Sequence, residues 1–107
     1  MQAKPLRDRV TVVVAGELDH CTAPQIRRRL DEILEDTQVY RLVLDLSDLT
    51  FMDSSGIGVL LGRLRILQAR GGTLAVQNMR PPIEKLFRLT GLERVIAVEQ
   101  SAKGGRA

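Results

Sequence analysis

An α/β fold, with a mixed central β-sheet of four to five strands flanked by three to four helices, is predicted by three features of the chain. Residues 42–46 form a nearly continuous aliphatic run (Leu42, Val43, Leu44 and Leu46) of the kind carried by a strand covered on both faces. Strand-like and helix-like segments alternate, and the connections in the middle are too long for hairpins. At 107 residues there is room for one core, so residues 1–107 are expected to form a single domain.

The elements follow in order. An apolar run at residues 10–14 stops at Gly16, and a shorter extended stretch at residues 6–9 is expected to pair with it. The first helix starts at Thr22. With Gln25 three residues on, Thr22 makes a capping box, and Pro24 fits a first turn whose N–H groups are free anyway. Ile26, Leu30, Ile33 and Leu34 share one stripe that lays this helix on the sheet. On its outer face Arg27/Asp31 and Arg28/Glu32 are spaced as i,i+4 ion pairs, worth about 0.2–0.5 kcal/mol each. Residues 36–40 then connect to the central strand.

A second helix is expected at residues 55–70, with Ile57, Leu60, Leu61, Leu64 and Leu67 as its core stripe and Gly71-Gly72 as its end. Val59 and Ile66 fall on roughly the opposite face beside Arg63 and Arg70. They are expected to face water, either as isolated exposed apolar residues or as partner surface. A strand at residues 73–76, a break at Arg80-Pro81-Pro82, a short helix carrying Ile83, Leu86 and Phe87 up to Gly91, and a last strand at residues 95–98 complete the order. Residues 102–107 read as a frayed tail.

Composition excludes several functions. Hydrophobic residues at 44% and charged residues at 27% are ordinary for a globular chain. There is no apolar run of the roughly 20 residues that span a bilayer, and the start MQAKPLRDR lacks a signal-peptide segment, so a cytoplasmic protein that does not engage membranes is expected. One cysteine, Cys21, excludes an internal disulfide, and with His20 the only histidine a zinc site lacks ligands; no metal is expected. The net charge of +3 comes from 16 basic residues interspersed with 13 acidic ones, and only Tyr40, Phe51 and Phe87 are aromatic, which argues against nucleic acid. Catalysis fares no better. The DSSG segment lacks the flanking glycines of a nucleophile elbow, no third group orients His20, and His20-Cys21 are adjacent side chains that tend to point apart. No phosphate-binding loop is present and Gly56, Gly58 and Gly62 sit within a helix, so neither a cofactor nor enzyme activity is expected.

The stretch LVLDLSDLTFMDSSGIGVLLG, residues 42–62, is the most informative. A buried strand enters an acidic and hydroxyl turn and a helix follows. At that helix start a serine hydroxyl can cap free N–H groups, and the positive end of the dipole tolerates a phosphate. A reversible phosphate switch on Ser54 or Ser55 is therefore physically reasonable, and sequence physics does not choose between them. Asp53 is expected to fix the turn by accepting from backbone N–H groups. Gly56 and Gly58 permit close approach, either of a partner or of the chain's own backbone.

Three segments in register resemble a known family: Gly16-Glu17-Leu18-Asp19-His20, Phe51-Met52-Asp53-Ser54-Ser55-Gly56, and Leu86-Phe87-Arg88-Leu89-Thr90-Gly91-Leu92. Together they resemble the STAS domain of sulfate transporters and anti-sigma factor antagonists over about residues 6–101. The wording MDSSGIGVLLGR is most similar to the sporulation branch, the anti-sigma F factor antagonists, with the general-stress antagonists as near neighbours. The resemblance implies the STAS fold and an anti-anti-sigma role. The unphosphorylated form would bind an anti-sigma factor that is also a serine kinase, carrying ATP or ADP, and so release its sigma factor. Phosphorylation at Ser55, the second serine of D-S-S-G, would switch binding off, and a metal-dependent serine phosphatase would restore it. Asp19, His20, Asp53, Ser54, Gly56, Gly58, Val59 and Arg63 are the expected partner-binding residues around Ser55, in a chain expected to be monomeric when free. The family arrangement would also bring Glu17, Asp19 and Asp48 near the phosphate. The family often has a further C-terminal helix, which the short, glycine-rich ending SAKGGRA is not expected to supply, and Cys21 stands where it often has a polar residue. Other readings are a STAS module of a signalling scaffold and a small enzyme.

Overall fold

The structure, a computed structural model, describes residues 8–100, so the expected tail and residues 6–7 of the early extended stretch lie outside the described residues. Strands β1 (Asp8–Val13) and β2 (Gly16–Leu18) precede helix α1 (Ala23–Leu34). Strands β3 (Val39–Asp45) and β4 (Leu49–Met52) lead into α2 (Ser54–Ala69), then β5 (Thr73–Gln77), α3 (Pro81–Thr90), a 3-10 turn (Leu92–Arg94) and β6 (Ala97–Glu99). The larger sheet has four strands in the order β1-β3-β5-β6, and β2 pairs with β4 in a separate two-stranded ladder.

The α/β class with a four-stranded sheet and three helices stands as expected. Where a mixed sheet was expected, every pairing among the described residues is parallel. Each step between neighbours of the larger sheet contains a helix, and such crossovers return the chain in the same direction. The expected pairing of the early extended stretch with residues 10–14 is corrected for its described residues, 8 and 9. Nothing reverses the chain between Arg9 and Val10, so Asp8–Val13 is one strand, lying against β3 with an irregularity between Asp8 and Arg9. Strands β2 and β4 went unforeseen because three and four residues are too few to show a period.

The core lies between the sheet and the helices. Leu42, Val43 and Leu44 of β3 and Ala75 and Val76 of β5 are inaccessible to solvent, as the continuous aliphatic run required. α1 contributes Leu30 and Leu34, and α3 contributes Ile83 and Phe87. α2 is covered on two sides, by β5 and β4 and by α1. Leu60, Leu64 and Leu67 are buried as expected, but so are Val59 and Arg63, and Ile66 packs against the core. The expectation that Val59 and Ile66 face water is thus corrected, because α1 lies across the face that one amphipathic period marks as outward.

Charged side chains tie the layers together. Asp31, expected to pair with Arg27, is met instead by Arg63 Nε at 3.1 Å, which links α1 to α2. Arg70 at the end of α2 donates to the carbonyls of Leu34, Asp36 and Val39, satisfying the end of α1 and the connection after it. Glu99 of β6 accepts from Arg41 Nε at 2.6 Å and from Arg9 Nη1 at 3.1 Å. The α2–β5 turn runs so close to β3 that a Cβ on Gly72 would lie 2.2 Å from the Tyr40 carbonyl oxygen. The last strand starts two residues later than expected, since the 3-10 turn and Val95 occupy the intervening chain.

Candidate functional site

The serine pair opens α2 immediately after β4. The capping residue is Asp53. Its carboxylate Oδ1 accepts from Ser55 N at 2.8 Å and Gly56 N at 3.4 Å, while its own N–H donates to Leu18 O at 3.3 Å. The serine hydroxyl considered as a cap is not used: Asp53, expected to fix the turn by accepting from backbone N–H groups, does so from extended backbone one position earlier and complements the helix dipole. Neither serine hydroxyl makes a hydrogen bond among the described residues, which leaves both free for chemistry. Ser54 is exposed and Ser55 is half-buried.

A second turn faces this helix start. After β2, Asp19 Oδ1 accepts from Cys21 N at 2.9 Å and Thr22 N at 3.0 Å. The Thr22 hydroxyl accepts from Asp19 N at 3.0 Å and donates to Glu17 O at 2.8 Å. The expected capping box of Thr22 and Gln25 is therefore absent, because the Thr22 hydroxyl is engaged by the β2 end. The backbone N–H of Thr22, helped by that of Cys21, holds the Asp19 carboxyl below its ordinary value, so it is ionised and turned toward the backbone. This turn leaves His20 and Cys21 exposed.

Between the two lies an open cavity of about 420 Å³. Its walls are His20 from the turn, Ala23, Pro24 and Arg27 from α1, and Ser55, Gly58, Val59 and Arg63 from α2. The structure thus brings together five of the residues singled out from the sequence: His20, Ser55, Gly58, Val59 and Arg63. Gly58 opens the cavity, since a Cβ there would meet nothing within 4 Å. Gly56 does not belong to this surface. A Cβ on it would lie 2.6 Å from Met52 Cγ and 2.7 Å from Leu18 Cγ, so its missing side chain serves the close packing of α2 onto β2 and β4. Ser54, Asp53 and Asp19 border the site without lining the cavity. Asp48 lies at the far end of β4 from Asp53, and so does not come close to the serines as expected.

Sequence reasoning missed three lining residues, Ala23, Pro24 and Arg27, of which Arg27 alone is charged. Its spacing to Asp31 reads as a solvated ion pair, and only the packing of α1 against α2 reveals that it faces Ser55. Arg63 is unusual. The residue is 8% exposed, and its Nε and Nη1 have no hydrogen-bond acceptor. The 3.1 Å approach of Asp31 to Nε is an ion pair without hydrogen-bond alignment.

Comparison with known proteins gives these features a context. Residues 2–104 match the STAS domain family. The chain is 40% identical over 87 residues to the anti-sigma F factor antagonist of Paenibacillus polymyxa, covering 81% of this chain and 74% of that one. It is 33% identical over 96 residues to the anti-sigma-B factor antagonist of Bacillus subtilis (strain 168), covering 90% and 86%. The fold is similar to that of the anti-sigma factor antagonist SpoIIAA in its unphosphorylated form, with a TM-score of 0.74 at 33% identity over 91% of this chain and 86% of that one. The Bacillus SpoIIAA in its phosphorylated form gives 0.65 at 33% identity over 88% and 86%.

Proposed function

This chain belongs to the STAS-domain family, and we propose that it acts as an anti-sigma factor antagonist whose binding is switched off by phosphorylation of Ser55. The observation that carries this reading is the state of Ser55. Its hydroxyl is free because Asp53 caps the helix, and it lines an open cavity walled by two further elements. Ser54 is exposed and lies outside that lining, which favours the second serine as acceptor.

In this reading the unphosphorylated chain binds an anti-sigma factor that is also a serine kinase, with nucleotide held by that partner, and displaces the sigma factor. The kinase transfers the γ-phosphoryl group of ATP to Ser55 Oγ, which loses its proton, and a serine phosphatase hydrolyses the ester later. The chain itself supplies no catalysis and works in the cytoplasm as a monomer when free. His20, Gly58, Val59 and Arg63 form the contact surface, with Asp19 and Asp53 shaping its rim. A phosphate at the cavity mouth adds about −1.5 to −2 charges and bulk exactly where a partner must exclude water, so docking fails while the fold survives.

Intact-mass spectrometry after incubation with the partner kinase and ATP, followed by peptide mapping of residues 42–63, tests this. One phosphate is expected, lost in Ser55→Ala and retained in Ser54→Ala. A phosphate mapping to Ser54 or to another residue would overturn the assignment.

A further inference from the structure

We propose that the cavity beside Ser55 is an intramolecular phosphate site, in which a phosphate carried by Ser55 is held by the guanidinium of Arg63 with Arg27 on the α1 side. The inference rests on the Ser55 switch for the presence of the phosphate and adds where that phosphate goes.

Three observations carry it. Arg63 is nine-tenths buried; its Nε meets the Asp31 carboxylate at 3.1 Å without hydrogen-bond alignment, and its Nη1 has no acceptor. Buried N–H groups of a charged donor without an acceptor are costly, and an anion that supplies one relieves the cost. Second, the cavity lining contains Arg27, Arg63 and His20 and no carboxylate. Of the acidic groups on the adjoining elements, Asp53 and Asp19 are engaged by backbone N–H groups and Asp31 by Arg63 Nε from a half-exposed position, while Glu17 of β2 and Glu32 of α1 lie outside the lining. Third, Ser55 opens into the same space, and Gly58 keeps the path between Ser55 and Arg63 clear of a side chain.

Direction favours the same outcome. Side chains on a helix lean toward its N-terminus, so the Arg63 guanidinium reaches from its own turn toward the Ser55 end of α2. A planar guanidinium offers paired donors to phosphate oxygens, and such charge-assisted bonds are stronger than neutral ones. Phosphate so held occupies the cavity beside Ser55 and places a charged group on the surface offered to a partner, without refolding.

The test is a ³¹P NMR titration of the full chain with phosphoserine incorporated at position 55 during translation, which makes it independent of any kinase. The second ionisation of the phosphate is expected below the value of about 6 for a solvated phosphoserine. Arg63→Gln should raise it by about 1 unit and Arg27→Gln by less, since an opposite charge nearby lowers an acid's pKa by that order. The helix N-terminus is unchanged in both variants, so the difference isolates the guanidinium groups. An identical titration in wild type and both variants would overturn the proposal, and the exposed Arg27 variant keeps that outcome readable if Arg63→Gln does not fold. Loss of kinase modification with an Arg-dependent titration would sink the switch and leave the phosphate site standing.

Discussion

Asp53 Oδ1 accepts the backbone N–H of Ser55 at 2.8 Å, and this one bond separates two tasks that the sequence runs together. The carboxylate closes the helix, and Ser55, two residues on, keeps a hydroxyl with nothing to do in the fold. A phosphate can therefore be added or removed at Ser55 without disturbing the cap.

Asp53→Ala should cost about 1 kcal/mol of stability, the usual magnitude for a lost N-cap, and Asp53→Ser should recover most of it. Urea unfolding of the three proteins checks this. Equal midpoints for wild type and Asp53→Ala would mean that the cap seen here does not persist in solution.

The two glycines of the segment should respond in opposite ways. Gly56→Ala places a methyl 2.9 Å from the Leu18 carbonyl oxygen as well as against two side chains, so backbone must shift, at about 1–3 kcal/mol. Gly58→Ala meets open space within a helix and should be neutral or stabilising by about 0.5–1 kcal/mol. Thermal unfolding of both variants measures the contrast, and similar midpoints would contradict the packing described for Gly56.

Binding to the partner kinase should weaken about tenfold or more in Ser55→Asp, while Ser55→Ala should bind like wild type and resist modification. Aspartate brings one charge and a shorter reach than phosphoserine, so its loss should be smaller than that of the phosphorylated chain. Calorimetric titration against the purified kinase reads all three. Unweakened binding of Ser55→Asp would show that local charge is not the switch.

Acid should destabilise the protein in a definable window. Arg9, and with it Arg41, holds the Glu99 carboxyl below its ordinary value by hydrogen bonding and charge. Burial pushes the Asp45 carboxyl up, but hydrogen bonds from Ser47, Asn78 and Gln77 outweigh it and leave that group depressed as well. A depressed carboxyl contributes stability that is complete above its unfolded value, about 4 for Asp and Glu, and is lost as pH falls through the lower folded value. Stability should thus decline from about pH 4 downward, and Glu99→Gln should be less stable at pH 7 with a flatter acid limb. Unfolding curves between pH 7 and pH 3 check the slope, and an unchanged slope in Glu99→Gln would remove the Arg9–Glu99–Arg41 cluster from the account.

The chain's local chemistry determined a large part of this molecule by itself. The aliphatic residues Leu42, Val43, Leu44 and Leu46 specified a strand buried on both faces, and the 3.6-residue spacing of Leu60, Leu64 and Leu67 specified a helix laid on it. Pro81 and Pro82 fit a helix start as well as the strand break read from them, and Gly91 ends that helix in the left-handed conformation. The serine pair at a strand-to-helix junction was legible for the same reason, since orphan N–H groups and acidic or hydroxyl residues meet there. Tertiary structure decided the rest. Whether Val59 faces water depends on where α1 lies, whether Thr22 caps a helix depends on a carbonyl of β2, and whether Arg27 and Arg63 share a cavity with Ser55 depends on the packing of two helices separated by two strands. Periodicity reports which side of an element avoids water, and hydrogen-bond donors report what they need. Neither reports which distant segment arrives to satisfy them, because that is fixed only when the layers close on one another.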